Sequence, residues 1–334
     1  MKKMLLIQTA FIGDVVLATA LLEKIKLTYP EIKLHILVRK GNESLFDNHP
    51  YIQKVWIWNK RQSKYRNLFK LLFQIRNEKF DAVINVQRYA ATAFLTVLSG
   101  AKETVGFNTH ILSKFYTIAI QHQFNNTDKT LHEIERNQQL IAHFTGNEPA
   151  MPKLYYNQTV LASIQHLIQP PYICVAPASV WFTKQFPAEK WVEFLQKIPD
   201  DLLVYFLGGP SDFDLCSQIA PQLANKHVVN LAGQISFLQS AALMQHAVMN
   251  YVNDSAPMHF ASAVNAPVAA IFCSTIPNFG YGPLSTEKYI IEVNEKLNCR
   301  PCGLHGKKAC PQKHFHCALH IQPEQLLQPL LQKL

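Results

Sequence analysis

The chain is 334 residues long, with 48% hydrophobic and 16% charged residues. That length fits two domains of roughly 150 residues, and the composition excludes a disordered, fibrous or collagen-like chain. The formal charge of +9 is uneven: residues 1–160 hold 21 Lys/Arg against 12 Asp/Glu, whereas residues 161–334 hold 11 of each. A basic half beside a neutral half points to one domain facing an anionic partner, with phosphorylated lipid, a membrane surface and nucleic acid all open at this level.

The first residues, MKKMLLIQTAFIGDVVLATALL, imitate a secretory leader with two lysines, an apolar run and an Ala-Thr-Ala end. Asp14 breaks the run. The pattern reads as a strand over residues 4–8, a loop, and an amphipathic helix from about 14 to 28 carrying Val16, Leu17, Ala20, Leu21 and Leu27. A cytoplasmic protein beginning at a mature N-terminus is expected, its seven cysteines mostly reduced. No apolar run approaches the roughly 20 residues that span a bilayer.

Strands over 33–38 and 81–86, with a helix near 67–79 between them, continue a βαβ series and predict a parallel sheet covered by helices. The pattern restarts after Pro170-Pro171. Strands are expected over 172–176, 202–208, 227–230, 248–252 and 268–272, separated by helices around 188–197, 212–223, 236–246 and 257–264. The chain therefore reads as two Rossmann-like domains joined near residues 160–171, with ligands beyond the carboxyl ends of the strands in a cleft between them. Residues 299–317 are loop-like and rich in Cys, Gly, Pro and His, and 323–334 reads as an amphipathic helix.

The first turn, TAFIGD, has the single glycine Gly13, so it lacks the G-x-G-x-x-G that cradles a pyrophosphate. Asp14 can cap its helix or serve as a general base, and spacing alone favours the cap. In APASVWFTKQFPAEKW, the Ser179 hydroxyl and the Lys184 ammonium suit an anion, the alternative being a solvated lysine. In YFLGGPSDFD, Gly208 and Gly209 allow close backbone approach, and Asp212 can bond sugar hydroxyls or cap the next helix. In VNDSAPMHFASA, a strand ends at Asn253, Asp254 and Ser255 can cap a helix, and Pro257 fits its first turn. Such a helix start attracts phosphate, and His259, one turn in, is either packed or functional. Lys60, Arg61 and Lys64 cluster ahead of an apolar helix, and in a helix Lys60 and Lys64 would share a face. Arg88 follows a strand. Cys299, Cys302, Cys310 and Cys317, with His314 and His316 nearby, can ligate zinc, but a ribbon usually has two C-x-x-C knuckles and only one is present.

The IGDVVLATALLEKIK start, the KQFPAEKW run, GGP-x-D, NDS-x-P-M-H-x-A-x-A and the C-x-P-C-G…C-P…H-x-C tail resemble the bacterial glycosyltransferases of family 9. Those are the ADP-heptose:lipopolysaccharide heptosyltransferases. The matches run in order from about residue 5 to residue 325. The resemblance implies an α/β GT-B fold: two facing Rossmann-like domains with parallel sheets and a deep interdomain cleft. Residues 1–165 would hold the acceptor and 166–320 the ADP-sugar, with 321–334 packing back on the first domain. It makes Asp14 the catalytic base of an inverting transfer. Ser179 and Lys184 then meet the diphosphate, Gly208 and Gly209 line the donor loop, Asp212 takes the ribose, and backbone near Ile235 contacts adenine. The helix bearing Asp254, Ser255, Ala256 and His259 receives the diphosphate.

The implied partners are ADP-heptose and an anionic lipopolysaccharide core acceptor, either Kdo-lipid A or a core heptose, met by Lys60, Arg61, Lys64 and Arg88. The protein would work at the inner face of the cytoplasmic membrane as a peripheral enzyme, without nucleic acid, cofactor or metal; no DxD-like pair sits at a strand end. Two positions depart from the pattern, Ala256 in place of glycine and Gln8 in place of lysine. Family-9 transfer of another sugar and sugar-nucleotide binding without catalysis stand as alternatives, and the missing glycine fingerprint counts against an NAD-dependent oxidoreductase.

Overall fold

The computed structural model describes residues 1–122, 130–168, 171–223 and 226–334. It divides into two units, Met1–Tyr155 and Tyr156–Leu334. In the first, chain order is β1 (Lys3–Ile7), α1 (Ile12–Thr28), β2 (Lys33–Arg39), β3 (Ile52–Trp58), α2 (Lys64–Glu78), β4 (Ala82–Asn85), α3 (Ala90–Val97), β5 (Glu103–Phe107), β6 (Ile118–Ile120), α4 (Glu133–Gln138) and α5 (Ala142–Thr145). The second runs α6 (Gln158–Ile164), β7 (Tyr172–Ala176), α7 (Ala188–Leu195), β8 (Leu203–Phe206), α8 (Phe213–Ile219), β9 (Val228–Asn230), α9 (Phe237–His246), β10 (Met249–Asn253), α10 (Ala256–Ala263), β11 (Val268–Phe272), β12 (Lys288–Glu292), α11 (His316–Leu319) and α12 (Pro323–Leu331).

Every described strand pairing is parallel. The sheets are ordered β3-β2-β1-β4-β5-β6 and β12-β11-β10-β7-β8-β9. Both are one pattern: the chain starts in the middle, winds to one edge, then crosses back to the other side of its first strand, as in doubly wound nucleotide-binding folds. The inner strands announce this in sequence, because a strand covered on both faces is apolar throughout; YICVA of β7 and VAAIF of β11 are buried at every residue. The expected α/β class with two Rossmann-like sheets is present.

Several local expectations are corrected. Helix α1 is not amphipathic: Val15 through Leu22 are buried in succession, while Leu27 is exposed. Lys60 lies in the turn after β3, and α2 begins only at Lys64, so the two lysines do not share a helix face. The division between units falls at 155/156 rather than 165/166, because α6 packs on α9 of the second unit, with Gln239 Nε2 donating to Ser163 Oγ at 2.8 Å. Pro170 of the expected Pro170-Pro171 restart lies outside the described residues.

The last helix does not belong with the first unit. It packs on α7 and β12, Leu326 and Leu330 are wholly buried in the second core, and Tyr251 OH donates to the Leu326 carbonyl at 2.8 Å. Leu326→Ala is expected to destabilise the second unit by about 2–5 kcal/mol, the usual range for a leucine truncated in a packed core. Denaturant titration checks this; an unchanged midpoint would show that α12 is not part of that core.

Candidate active site

In a parallel sheet the turns after the strands share one edge. In the first unit that edge gathers Asp14 after β1, Arg39 at the end of β2, Lys60 and Arg61 after β3, and Arg88 after β4. Asp14 sits three residues beyond Phe11, the N-cap of α1. It is thus not the N-cap itself, but its carboxylate accepts a hydrogen bond from the Phe11 backbone, the returning half of a capping box.

The loop over residues 8–11, which leads into α1 and Asp14, is held at three points. Gln8 accepts from Gln87 Nε2 and from the Ala10 N–H. Asn42 Nδ2 donates to the Ala10 carbonyl at 3.2 Å. Lys60 Nζ donates to the Thr9 carbonyl at 2.7 Å and to Thr9 Oγ1 at 3.0 Å. Gln8, the departure from lysine, is therefore part of a buried neutral amide pair.

Burial first, and then the nearby carboxylate of Glu133, push Asp14 up from 3.8 to about 6, against the pull of the Phe11 hydrogen bond, Arg88 and Arg39. A base with that value is mostly ionised at neutral pH yet basic enough to take a proton. Glu133 is itself bound by the buried Arg136, at 2.8 and 3.0 Å. Lys60 is pushed down to about 8 by burial, then by Arg39 and Lys64. Arg39 is lowered by burial and by Arg61, and its guanidinium lies 4.8 Å over the Phe11 ring. The expected acceptor cations Lys60, Arg61, Lys64 and Arg88 thus belong to one electrostatic neighbourhood with Asp14. Arg39 and Glu133 join it unannounced. A charged residue closing a strand was a usable signal for Arg39; nothing in the sequence tied Glu133 to the first turn. Beside this edge lies a cavity of about 630 Å³, lined among others by Thr9, Lys60, Lys64, Tyr65, Phe69 and Tyr89.

In the second unit, Lys184 Nζ pairs with Asp254 at 2.6 Å, both side chains largely buried. Lys184 is therefore not a solvated surface lysine. Thr275 Oγ1 donates to the same carboxylate at 2.6 Å. Arg300, in the cysteine-rich segment, donates to the Phe272, Cys273 and Thr275 carbonyls at 3.0, 2.7 and 2.7 Å, fastening the end of β11 beneath Thr275. Asn253, wholly buried, ties the loop after β7 to the end of β10: its Oδ1 accepts from the Phe186 N–H at 2.9 Å and its Nδ2 donates to the Pro177 carbonyl at 2.8 Å. Ser179 stands in that loop, its N–H donating to Gln185 Oε1 at 3.2 Å.

Ser255 is the N-cap of α10 but makes no side-chain cap, and Asp254 is turned to Lys184 instead. The expected side-chain cap is absent; Pro257 has no N–H and the Met258 N–H donates to the Ser255 carbonyl at 3.1 Å, so Ala256 carries the first-turn amide that no side chain caps. His259 is buried one turn along. The β8 turn forms a second group. Asp212 Oδ2 accepts from the Gly209 N–H at 2.8 Å, and a Cβ on Gly208 would stand 2.8 Å from Asp212 Cβ, which fixes glycine there. The Gly233 N–H donates to the Gly208 carbonyl at 2.9 Å, bringing the loop of half-buried Ile235 alongside.

Among the described residues, no three Cys, His, Asp or Glu side chains are placed to hold a metal. Cys299 Sγ lies 3.8 Å from His314 Nε2. The segment instead lies on the Lys184 loop: the Lys307 N–H donates to Thr183 Oγ1 at 2.8 Å, and Gly306, at φ +75°, leaves only 2.8 Å between a hypothetical Cβ and Lys184 Cγ.

The two doubly wound units, each with its loops gathered at the carboxyl edge, have the sheet architecture of the GT-B class. The model of glycosyltransferase family 9 (heptosyltransferase) matches residues 68–314, and the chain belongs to that family. It is 26% identical to lipopolysaccharide heptosyltransferase 3 of Escherichia coli K12, over 79% of this chain and 80% of that protein. It is 20% identical to lipopolysaccharide heptosyltransferase 1 of Campylobacter coli over 97% of both chains. The fold superposes on E. coli ADP-heptose lipopolysaccharide heptosyltransferase II with a TM-score of 0.79, at 20% identity and 99% coverage of each chain. A family-9 glycosyltransferase from Veillonella parvula gives 0.85, at 19% identity and 99% and 98% coverage.

The raised carboxyl has a measurable cost. A folded carboxyl that binds its proton more tightly than the unfolded one loses stability as pH rises from about 4 through 6. Asp14→Asn is expected to be more stable than the parent by about 2–3 kcal/mol at pH 8 and by less than about 1 kcal/mol at pH 4. Denaturant titrations at both pH values decide; an equal difference at each would mean that the charge carries no penalty.

Proposed function

We propose that this enzyme transfers a heptose from ADP-heptose to the inner core of lipopolysaccharide, on Kdo-lipid A or a core heptose, with inversion at the anomeric carbon. The observation that carries the reading is Asp14: a carboxyl at about 6 in the first turn of α1, just after a pinned loop, at the point where the sheet order switches from β1 to β4. Membership of family 9 supplies the reaction class, and the names of the relatives support the donor and acceptor. Asp14 takes the proton from the acceptor hydroxyl as that oxygen attacks the anomeric carbon, and ADP leaves from the opposite face. The departing diphosphate gathers charge, which Lys184 and the start of α10 meet with an ammonium and the Ala256 N–H. Asp254 and Thr275 orient that lysine, while Ser179, Gly208, Gly209, Asp212 and Ile235 complete the donor side. Lys60, Arg61, Lys64 and Arg88 attract the acidic acceptor.

Asp14→Asn is expected to lower turnover at least about 100-fold with little change in ADP affinity, as loss of a general base does. Steady-state transfer assays alongside ADP titration check it, and near-parental turnover would exclude Asp14 as the base. Lys184→Ala should weaken ADP-sugar binding and slow transfer, because charge neutralisation at the diphosphate is lost; unchanged ADP affinity and rate would remove it from the donor site. Converting Lys60, Arg61 and Lys64 to Glu should raise the acceptor KM and spare donor binding. Equal effects on both substrates would show that the patch does not serve the acceptor. Assays across ADP-sugars and truncated core acceptors test the donor and acceptor directly.

A further inference from the structure

The outer side of α2 is not explained by sugar transfer. Leu68, Leu71, Leu72 and Ile75 bury one face of this helix. Tyr65, Phe69 and Phe73, spaced four apart and therefore in one row, are nevertheless 67%, 49% and 65% exposed. Phe69 meets Phe94 edge to face at 5.7 Å, which extends the aromatic surface toward α3. The cavity between them is chiefly apolar, with Lys60 and Lys64 among its lining residues. One residue on from Tyr65 and Phe69 come Arg66 and Lys70, so a cationic row runs beside the aromatic one. From Lys60 to Asn77 the chain carries no Asp or Glu at all.

Exposed aromatic rings in a row mark an interaction surface. Aromatic rings flanked by cations match the headgroup boundary of a bilayer, where the rings enter the apolar edge and the cations meet anionic headgroups. A protein partner would have to be uniformly acidic over this length, whereas an anionic membrane is so by nature. We propose that α2, with the groove beside it, docks the enzyme on the surface of a bilayer containing anionic lipids. This names the face that would bring a lipid-linked acceptor to the Asp14 edge, and it rests on the proposed function only for the acceptor's place in a membrane.

The test is sedimentation of the full chain with vesicles of phosphatidylcholine alone or mixed with phosphatidylglycerol. Mixed vesicles are expected to bind it at least about 10-fold more tightly, and less so as salt rises. Phe69→Ser with Phe73→Ser should weaken that binding at least about 10-fold, and Phe73→Ser alone, whose ring lies outside the cavity lining, should weaken it with turnover on a deacylated, soluble acceptor unchanged. Tyr65→Ser, at the most exposed ring, should act in the same direction and guards against a folding defect in the double variant. Indifference of the protein to the phosphatidylglycerol content would overturn the proposal. So would unaltered vesicle binding by these variants, or conversion of a self-associated form to monomer with vesicle binding intact. Vesicle binding needs no donor and soluble-acceptor turnover needs no vesicle, so each reading can fail alone.

Discussion

Parallel strands leave both units a single edge at which to do chemistry. Each pairing fixes the direction of the next strand, so every βα turn opens on the same side. Residues distant in sequence reach that edge without any need to touch elsewhere. Arg39, Lys60 and Arg88 close three strands around the turn of Asp14, and Lys184, Asp212 and Asp254 do the equivalent in the second unit. The helices then set the electrostatic tone, with α1 placing Asp14 in its first turn and α10 presenting its unfilled start.

Within that frame the two halves handle charge in opposite ways. The first gathers cations that oppose one another, and Lys60 is lowered to about 8 chiefly by burial and then by Arg39 and Lys64. Its ammonium is also a structural clip, spending two donors on Thr9. A group that holds the Asp14 loop and answers to nearby charge links what happens at the cationic turn to where the carboxylate stands. The second half cancels charge inside the protein, placing Lys184 on Asp254 and fixing Asp254 through Thr275. Arg300 then secures the strand end from the cysteine-rich segment, so the segment's part at this site is mechanical support of the loops.

The sequence was most readable where burial is complete on both faces. YICVA and VAAIF appear at their observed bounds because nothing but an inner strand explains five apolar residues between turns. The edge strands β3 and β12 were missed because one side meets solvent and admits Gln53, Lys54 and Lys288 into the pattern. Short β5 and β6 carry Gly106 and an Ile-Ala-Ile triplet too brief to show a period. At the candidate site, spacing alone reads Asp14 as a helix cap and leaves Lys184 open between anion contact and a solvated lysine, and the family-9 resemblance is what singles both out. Their environments were not legible, since Asp254 lies far along the chain from Lys184 and Glu133 comes from a separate helix. The last helix was legible as a helix but not in its docking, which depends on a complementary surface on α7 and β12.

The Lys184–Asp254 pair bears on rates as well as on geometry. An ammonium with a carboxylate at 2.6 Å is nearly neutral when viewed from a Debye length away. An anion approaching that loop feels little pull until it is close enough to exchange hydrogen bonds. The basic first half, by contrast, projects its field into solvent and accelerates encounters that salt will slow. Under the proposed assignment, an acidic acceptor is drawn to the first unit by long-range attraction and a diphosphate is admitted at Lys184 by contact, so ionic strength changes the arrival of the first with little change in the second.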